Sequence, residues 1–485
     1  MRANIILINP QIGFSPPLGL LYLAAVLERA NHKVEIIEFD SYNNENFDPE
    51  REGLVEKIIG KKPDLICIAC MTAHVKIVRK LISSFKKIRK EIPLVIGGPH
   101  ATALPEDMLN AGAGIVILGE GEGTILRVID YYQGKIKKES IDGIAYRDSD
   151  NKIRINAKTN YEDVNKIPFP AYNLINMDRY LARNYSIRGY WLRNGWVFTS
   201  RGCPGRCTFC ASSLTHGYGV RERNIDDVIE ELKFLSEKYK IEGFDILDDT
   251  FTVKTERVVE FCRKLRESGL NLKWGCQARV NFFNETQAAA LKGAGCLQVD
   301  FGVESGSQNI LNYLKKGITV EQSKKAFKIC KKYKLRSLAT FMIGTPYETM
   351  EDIQKTKELL KEIKPDYIGL FFTTPYPGTG LYQQTLENKW LDLRSDDLSW
   401  ESNATPKFTM NFTPGELHKI YNNLLEDNLK KTVAGYIKQP SFLFDVIKFS
   451  ILHPLDSFKL LILLGQGKSE ELINALREFR IKGRF

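Results

Sequence analysis

At 485 residues the chain is too long for one ordinary domain, and we expect two or three. Its hydrophobic fraction of 43% and charged fraction of 26% are those of a folded globular protein, which excludes an intrinsically disordered chain. The formal net charge of +10 is modest for this length and includes no short block of lysines and arginines, so no nucleic-acid partner is expected.

The start of the chain and its cysteines bear on the cellular compartment. The run Ile5–Asn9 ends at Pro10 and is too short for the apolar core of a secretion signal, so we interpret it as a first buried strand. Nine cysteines without an export signal indicate a reducing compartment, where clustered thiols serve metals or catalysis rather than disulfides. We therefore expect a cytoplasmic protein.

Residues 1–135 alternate short apolar strands with amphipathic helices. Helices are predicted at Leu18–Arg29 and Val75–Ile88, where apolar residues recur three and four positions apart. Such alternation, with continuously apolar strands, indicates a doubly wound α/β domain of the flavodoxin or Rossmann type, whose parallel sheet is covered on both faces. The predicted strands are Ile5–Asn9, Val34–Glu38, Leu65–Ala69, Leu94–Gly97 and Ile115–Leu118.

Three turns rich in glycine and proline stand where these strands end, at residues 16–19, 97–100 and 119–123. Ligands of parallel sheets bind at the carboxyl ends of the strands, and small residues there let a ligand approach the backbone closely. The three turns are therefore the candidate ligand edge of the first domain.

Residues 136–190 are interpreted as a connector, because Asp148–Lys152 is turn-like and the two prolines of Ile167–Pro170 exclude a helix interior. A second alternating series occupies 191–409. Its six βα units fit a partial (β/α)6 barrel better than a full eight-fold one. The predicted strands are Trp196–Thr199, Phe244–Leu247, Leu272–Cys276, Gln298–Val303, Ser337–Met342 and Tyr367–Phe372.

Residues 410–485 are predicted to form a helical C-terminal extension. Two apolar runs, Phe442–Leu452 and Leu455–Leu464, are separated by Pro454 and carry charges, and each is too short to span a bilayer. One interpretation is a helix packed over the open side of the barrel. The other is an interfacial helix that gives peripheral contact with a membrane and access to a lipid substrate.

Three cysteines spaced C-x3-C-x2-C follow the first barrel strand, at Cys203, Cys207 and Cys210. Soft thiolates on one loop select iron–sulfur clusters or zinc, but structural zinc needs a fourth protein ligand, usually from a second cysteine pair. The pair Cys67 and Cys70 has suitable spacing, yet it lies in a strand and is interpreted as core packing. Three ligands on a four-iron cluster leave one iron open for catalysis.

This loop closely resembles the signature of the radical S-adenosylmethionine (SAM) superfamily. The resemblance implies a 4Fe-4S cluster whose open iron binds SAM and cleaves it to a 5′-deoxyadenosyl radical. It also implies SAM contacts from the carboxyl ends of the barrel strands, although each such residue has a structural alternative, since an aspartate there can simply cap the next helix. The implied SAM-binding residues are Phe209, Asp248, Asp249, Arg279, Glu304, Ser305 and Gly344.

The first domain, placed ahead of such a barrel, resembles the cobalamin-binding domain of one radical SAM class, and the likeness covers nearly 400 residues in all. The D-x-H-x-x-G motif that supplies a histidine below cobalt in other cobalamin proteins is absent, so the role of His100 stays open. A different flavodoxin-type ligand is the alternative. The implied cobalamin-binding residues are Pro17, Leu18, Gly19, Thr72, Gly97, Gly98, Pro99, His100, Gly119, Glu120 and Gly121.

The two resemblances together imply a cobalamin-dependent methyltransferase that acts on an unactivated carbon of a lipid, tetrapyrrole or secondary metabolite. The same architecture occurs in the anaerobic magnesium-protoporphyrin ester cyclase, so oxidative ring closure or C–C coupling is an alternative. A methylthiotransferase-like activity on RNA or protein ranks lower, because the first domain lacks a second three-cysteine set. An electron donor such as ferredoxin or flavodoxin is the expected partner.

Overall fold

The protein is described from a computed structural model, which covers residues 1–10, 13, 15–39, 53–181, 187, 190–390 and 409–437, together with a part of the tail. In the tail it describes residues 440, 444, 447–448, 450–451, 454–466, 471 and 475. The predictions made for most of 182–189, for 391–408 and for the rest of the tail therefore lie outside the described residues.

A seven-stranded sheet forms the front of the molecule, in the order β2-β1-β3-β4-β5-β6-β7. The first five strands of that order are parallel, as predicted, and the last two join antiparallel. The strands are β1 (Asn4–Asn9), β2 (Lys33–Glu38), β3 (Leu65–Ala69), β4 (Leu94–Gly97), β5 (Ile115–Ile117), β6 (Ile144–Arg147) and β7 (Ile153–Asn156).

The sheet thus extends past residue 135 into the segment predicted to be a connector. The turn-like Asp148–Lys152 closes a hairpin between β6 and β7, with the amide of Asp148 donating to the carbonyl of Lys152 at 2.9 Å. Both strands are only four residues long, and β7 alternates polar and apolar side chains with little burial. Strands as short as these give a weak sequence signal.

Helices cover both faces of the front sheet, and successive residues of a strand point to opposite sides. Ile5 and Leu7 of β1 pack with helix α1, while Ile6 and Ile8 pack with helix α3. The helices of this region are α1 (Leu18–Arg29), α2 (Leu54–Gly60), α3 (Val75–Ile88), α4 (Pro99–Ala103), α5 (Pro105–Ala111), α6 (Glu122–Tyr132) and α7 (Met177–Leu181).

A second sheet has six parallel strands in the order β15-β14-β13-β12-β11-β8, which is the predicted partial (β/α)6 barrel. Its strands are β8 (Asn194–Val197), β11 (Gly243–Ile246), β12 (Lys273–Ala278), β13 (Cys296–Glu304), β14 (Arg336–Ile343) and β15 (Tyr367–Phe372). Two short strands, β9 (Ser200–Arg201) and β10 (Arg221–Glu222), pair antiparallel beside it.

Amphipathic helices follow the barrel strands, and three of them begin with a reciprocal capping box built on Asn284, Thr319 or Thr349. The helices are α8 (Ser212–His216), α9 (Ile225–Tyr239), α10 (Thr255–Glu267), α11 (Glu285–Gly293), α12 (Gln308–Tyr313), α13 (Val320–Lys332), α14 (Met350–Ile363), α15 (Gly380–Glu387), α16 (Pro414–Ile437) and α17 (Pro454–Gly465). Among the described residues, no helix is long and apolar enough to cross a membrane.

The two sheets share one apolar core. Leu21 of α1 and Ile125 of α6 belong to the same buried cluster as Val228 and Leu232 of α9 and Trp196 of β8. The front domain and the barrel are therefore packed together through an interior face.

The turn after β4 depends on a glycine, and this gives a stability prediction. Gly98 has φ +104°, and a Cβ there would lie 2.8 Å from the carbonyl oxygen of Cys70. We expect Gly98→Ala to lower the free energy of unfolding by about 1–3 kcal/mol, because both strain and overlap are introduced.

Gly19→Ala is the matched control for urea unfolding followed by circular dichroism. Gly19 lies in α1 with no atom within 4 Å of a built Cβ. This change should leave stability unchanged or raise it by about 0.5–1 kcal/mol. Equal effects of the two substitutions would contradict the assignment of strain to Gly98.

Candidate active site

The three cysteines lie on a loop of residues 202–211, here called the cluster loop, between β9 and α8. Its entry is fixed by Gly202, which has φ +91° and whose Cβ would lie 2.1 Å from the carbonyl oxygen of Gly219. No other residue type fits this position without moving the backbone. The loop therefore leaves the barrel strand in one direction, with its thiols turned toward the barrel mouth.

All three thiols open into one cavity of about 330 Å³. The cavity lies at the carboxyl ends of the barrel strands, where ligands of such barrels bind. Its lining residues are Cys203, Gly205, Cys207, Phe209, Cys210, Ser212, Ser213, Tyr218, Asp249, Thr250, Gln277, Ala278, Arg279, Asp300, Phe301, Gly302, Glu304, Lys316 and Thr340.

Each cysteine sulfur has a nitrogen donor close by. The amide of Gly205 lies 3.4 Å from Cys203 Sγ, the amide of Ser212 lies 3.5 Å from Cys210 Sγ, and Arg279 Nη1 lies 3.5 Å from Cys207 Sγ. Such donors stabilise thiolate sulfurs bound to iron. The donor set, three thiols on one cavity with N–H support, fits a 4Fe-4S cluster held by Cys203, Cys207 and Cys210.

The Cys210 thiol is the exposed one of the three. Desolvation by the protein around it, followed by the nearby Cys207, Asp249 and Cys203, nevertheless raises its pKa to about 11. Metal binding to such a group must release a proton.

Four of the seven residues predicted to bind SAM line the cavity, namely Phe209, Asp249, Arg279 and Glu304. Asp249 Oδ2 accepts from the amide of Gly202 at 3.2 Å, so it also steadies the entry of the cluster loop. These four residues place two acidic side chains, a guanidinium and an aromatic ring next to the thiols. This is a polar surface suited to a zwitterionic amino acid and a nucleoside.

Asp248 has a different place from the one predicted. It is fully buried and accepts hydrogen bonds from the Thr199 amide at 2.6 Å, Thr199 Oγ1 at 2.5 Å and Ser200 Oγ at 2.6 Å. Burial raises its pKa, and these hydrogen bonds oppose the rise. Asp248 thus anchors the segment that enters the cluster loop and does not line the cavity.

Ser305 is also buried behind the cavity wall. Its hydroxyl lies 3.3 Å from Thr356 Oγ1 and accepts from the Ser307 amide at 3.1 Å. These contacts shape the turn after β13 and hold Glu304 at φ +65°. The side chain of Ser305 does not line the cavity, and the predicted contact with SAM stays a prediction.

Lys316 is a cavity residue that sequence reasoning missed. Its Nζ lies 2.6 Å from Glu304 Oε1, and both side chains are almost fully buried. Its carbonyl accepts from Arg279 Nη2, so the two cations share one wall. Nothing in the run Lys315-Lys316-Gly317 separates this lysine from a surface lysine, because its partner is brought in only by the barrel.

Gly344 ends β14 and lies beside a second missed residue, Glu348. The amides of Gly344 and Thr345 donate to Glu348 Oε2 at 2.7 and 3.3 Å. Glu348 Oε1 is buried and has no hydrogen-bond partner. Burial raises the pKa of Glu348 to about 8, and the two amide donors only partly offset this.

The predicted ligand edge of the front domain is formed at the carboxyl ends of its parallel strands. Thr72 follows β3, Gly97 and Gly98 end β4, and the 119–121 turn follows β5. A Cβ at Gly97 would touch only Ile117 at 3.8 Å, and one at Gly19 would touch nothing. An edge with so little side-chain bulk fits a broad, flat macrocycle such as cobalamin.

The remaining predicted residues flank this edge. Pro17 precedes α1, Leu18 turns into the core, and Pro99 starts α4. Glu120 is buried and pairs with cations of the barrel domain.

His100 is placed away from any free coordination position. It is buried, with Nδ1 3.3 Å from Thr72 Oγ1 and Nε2 2.9 Å from Asp107 Oδ2, and Asp107 is held in turn by Arg79. Both ring nitrogens are therefore engaged by the protein. Neither nitrogen is free to bind a metal, so the structure gives no support for His100 as a cobalt ligand.

Comparisons with known proteins match both domains. Residues 9–129 match the family model of the B12 binding domain, and residues 197–360 match that of the radical SAM superfamily. An uncharacterized methyltransferase of Pyrococcus horikoshii is 36% identical over 434 residues, which cover 88% of this chain and 89% of the relative. The cytidylyl-2-hydroxyethylphosphonate methyltransferase of Streptomyces wedmorensis is 28% identical over 420 residues, covering 78% and 79%.

A solved structure shares the fold. The cobalamin-dependent SAM radical enzyme OxsB, solved with aqua-cobalamin and SAM bound, superimposes with a TM-score of 0.72 at 16% sequence identity. The match covers 99% of this chain and 79% of that one.

The fold and the two sites define a radical SAM enzyme with a cobalamin-binding domain in front of its barrel. The chain belongs to the family of cobalamin-dependent radical SAM methyltransferases. The predictions of fold class, of enzymatic activity and of the three cofactors, a 4Fe-4S cluster, SAM and cobalamin, are thereby confirmed.

The buried carboxyl group of Glu348 gives a pH prediction. Its pKa rises from 4.5 to about 8 on folding, so between these values the folded protein holds a proton that the unfolded chain has lost. Stability therefore falls as the pH rises through this window. We expect Glu348→Gln to reduce the loss of melting temperature between about pH 5 and pH 8.

Thermal unfolding at several pH values, followed by circular dichroism, measures this slope. Glu358→Gln, on the exposed side of α14, is the control and should keep the wild-type slope. A slope that is the same in all three proteins would show that Glu348 is ionised in the fold.

Proposed function

We propose that this chain methylates an unactivated carbon of a small-molecule substrate bound between its two cofactor sites. The observation that carries the proposal is the close packing of the ligand edge of the front domain against the cluster side of the barrel. A Cβ at Gly378, after β15, would lie 2.5 Å from Leu214 of α8 and 3.0 Å from Ala103 of α4. Helix α8, the front domain and a barrel loop therefore meet beside the cavity.

The residues of this chain bind and orient, while the cofactors supply the reactive groups. When bound, the cluster supplies the electron that cleaves SAM to a 5′-deoxyadenosyl radical, and cobalamin supplies the methyl group. Cys203, Cys207 and Cys210 would hold the cluster. The cations Arg279 and Lys316 suit the carboxylate of SAM, and Asp249 and Glu304 suit its amino and hydroxyl groups.

A closed site also protects the radical from water and oxygen. The walls of the cavity are held in place by buried hydrogen bonds, such as those of Asp248 and of Ser307, whose hydroxyl donates to Asp352 at 2.6 Å. A rigid wall leaves few states in which solvent reaches the reacting carbon.

The test uses the protein purified without oxygen, loaded with iron, sulfide and hydroxocobalamin, and supplied with a chemical reductant. It is incubated with SAM carrying a deuterated methyl group and with a metabolite extract of its source. We expect S-adenosylhomocysteine, 5′-deoxyadenosine and a small molecule that carries the label, identified by mass spectrometry. Cys207→Ala should reduce 5′-deoxyadenosine to background, while Cys262→Ala, a core thiol in α10, should not.

Formation of 5′-deoxyadenosine without any labelled product would overturn the methyltransferase proposal. It would favour ring closure or C–C coupling, the alternative that the same architecture permits.

We also propose that a small electron-transfer protein of the ferredoxin or flavodoxin type reduces the cluster. The described cysteines are all free thiols, in keeping with a reducing cytoplasm.

We also propose that the tail makes peripheral contact with a membrane, which would suit a lipid substrate. Large apolar side chains are exposed at Phe444, Ile447 and Ile451, spaced three and four residues apart, and at Phe458 in the separate helix α17. Lys448 is exposed beside them. Helix α17 buries Leu460 and Leu463 on another side, so Phe458 does not serve the internal packing.

Flotation with vesicles of phosphatidylglycerol tests the tail. We expect the wild-type protein to float with the vesicles and Ile447→Glu/Ile451→Glu to stay at the bottom, because two charges enter the apolar face. Gln466→Glu adds one charge at an exposed position of the tail away from these residues; it is the control and should float. Flotation of the double variant would rule out this face as the membrane contact.

A further inference from the structure

The turn after β5 does more than border the ligand edge of the front domain, because Glu120 reaches across to the barrel. Its carboxylate is almost completely buried and lies 2.6 Å from Arg221 Nη2, 2.9 Å from His216 Nδ1 and 3.3 Å from Arg201 Nη1. Three groups of the barrel domain thus converge on one carboxylate of the front domain.

These three groups stand at the two ends of the cluster loop. Arg201 immediately precedes Gly202 and Cys203, where the loop begins. His216 ends α8, which starts two residues after Cys210, and Arg221 forms the first residue of β10. A single side chain therefore ties both the entry and the exit of the cysteine-bearing segment.

The residues around Glu120 make further contacts at this interface between the front domain and the barrel. A Cβ at Gly119 would lie 3.3 Å from the carbonyl oxygen of Thr215 in α8, and the amide of Gly119 lies 3.0 Å from Thr102 Oγ1 in α4. Lys158 Nζ donates to the carbonyl of Glu120 at 3.0 Å. Two residues on, Glu122 pairs with Arg201 Nη2 at 2.7 Å.

The charge state of Glu120 is fixed by these contacts. Burial alone would raise its pKa, but hydrogen bonds from His216 and Arg221 and the charges of Arg201 and Arg221 hold the pKa at about 2. Both oxygens of this carboxylate are thus engaged by side chains of the barrel domain. Buried charge networks of this kind hold two surfaces in one arrangement, since any shift leaves a charge unpaired.

We propose that Glu120 is a positioning residue, which fixes the cluster loop against the cobalamin-binding domain so that SAM at the cluster stands at the right distance from cobalamin. The inference rests on the proposed function and assigns to Glu120 a role other than the cobalamin contact implied by its sequence motif. Cleavage of SAM to 5′-deoxyadenosine needs only the barrel site. Donation of its methyl group also needs the cobalamin site to be correctly placed relative to the barrel site.

The two reactions leave different products, which makes the proposal measurable. Reductive cleavage takes one electron from the cluster, breaks the C5′–S bond and leaves methionine and, after hydrogen abstraction, 5′-deoxyadenosine. Methyl donation breaks the S–CH3 bond, uses the electron pair of reduced cobalamin and leaves S-adenosylhomocysteine. The ratio of these two nucleosides therefore reports on the relative placement of the two domains.

The experiment compares Glu120→Gln with Glu222→Gln in the anaerobic, cofactor-loaded protein. Glu222 lies in β10 and pairs with Lys254 and Arg257 of the barrel, so its side chain does not reach the front domain. For Glu120→Gln we expect unchanged iron and cobalt content, unchanged 5′-deoxyadenosine, and S-adenosylhomocysteine lower by up to about 100-fold, as for a misplacement of about 1 Å. Glu222→Gln should keep the wild-type ratio.

Hydrogen exchange gives a readout that does not depend on turnover. Residues 212–217 and 119–124 should exchange faster in Glu120→Gln, while α13 should not change. His216→Gln removes one of the three partners and should shift both readouts in the same direction by less, which keeps the test valid if Glu120→Gln does not fold.

The outcomes separate the two proposals. No S-adenosylhomocysteine from the wild-type protein would reject the proposed function itself. A wild-type nucleoside ratio with wild-type exchange in both variants would reject the positioning role, and so would loss of iron or cobalt in parallel with both products.

Discussion

The ion pairs between Arg201 and the two glutamates Glu120 and Glu122 are the contact on which the arrangement of this molecule depends. A guanidinium stays charged at every physiological pH, and carboxylates and an aromatic ring around it offset the cost of burying it. Here the ring is Tyr22, whose centroid lies 5.0 Å from the guanidinium carbon. Because these partners come from the front domain, the buried guanidinium of Arg201 is paired only when the two domains are packed together.

Structural roles of this kind explain why several conspicuous residues are not ligands. The sequence places Glu120, Asp248 and His100 at strand ends, where ligands bind. Residues at strand ends can also hold the neighbouring segments in place through hydrogen bonds and ion pairs. Asp248 holds the strand that enters the cluster loop, and His100 joins Thr72 to Asp107. The residues that face the cavity are instead those one position further along or on a neighbouring loop, such as Asp249 and Lys316.

Regular elements could be predicted from the sequence where one periodicity dominates. β3, β4 and β15 are apolar enough to be found with their bounds, as are the amphipathic α1 and α3. The sequence does not reveal β6 and β7, because each is only four residues long and their stability comes from pairing next to β5. The two-residue strands β9 and β10 leave no trace in the hydrophobic pattern at all.

The candidate site divides in the same way. The cysteines could be predicted because their ligand spacing is local, and the loop that carries them is continuous in sequence. Lys316 and Glu348 could not, since the partner of each is set by the fold. Glu348 is four residues from Gly344, yet its burial depends on the barrel closing around it.

The apolar core that runs from α1 and α6 into α9 and β8 also has a consequence for synthesis of the chain. The front half leaves the ribosome first, with Leu21, Ile125 and the face around Tyr22 uncovered. The residues that cover them, near Trp196 and Leu232, are synthesised later. At a synthesis rate of about 5–20 residues per second, the delay is several seconds or more. A newly made front half therefore exposes an apolar surface for that interval, and its association with other chains must be prevented until the barrel has been synthesised.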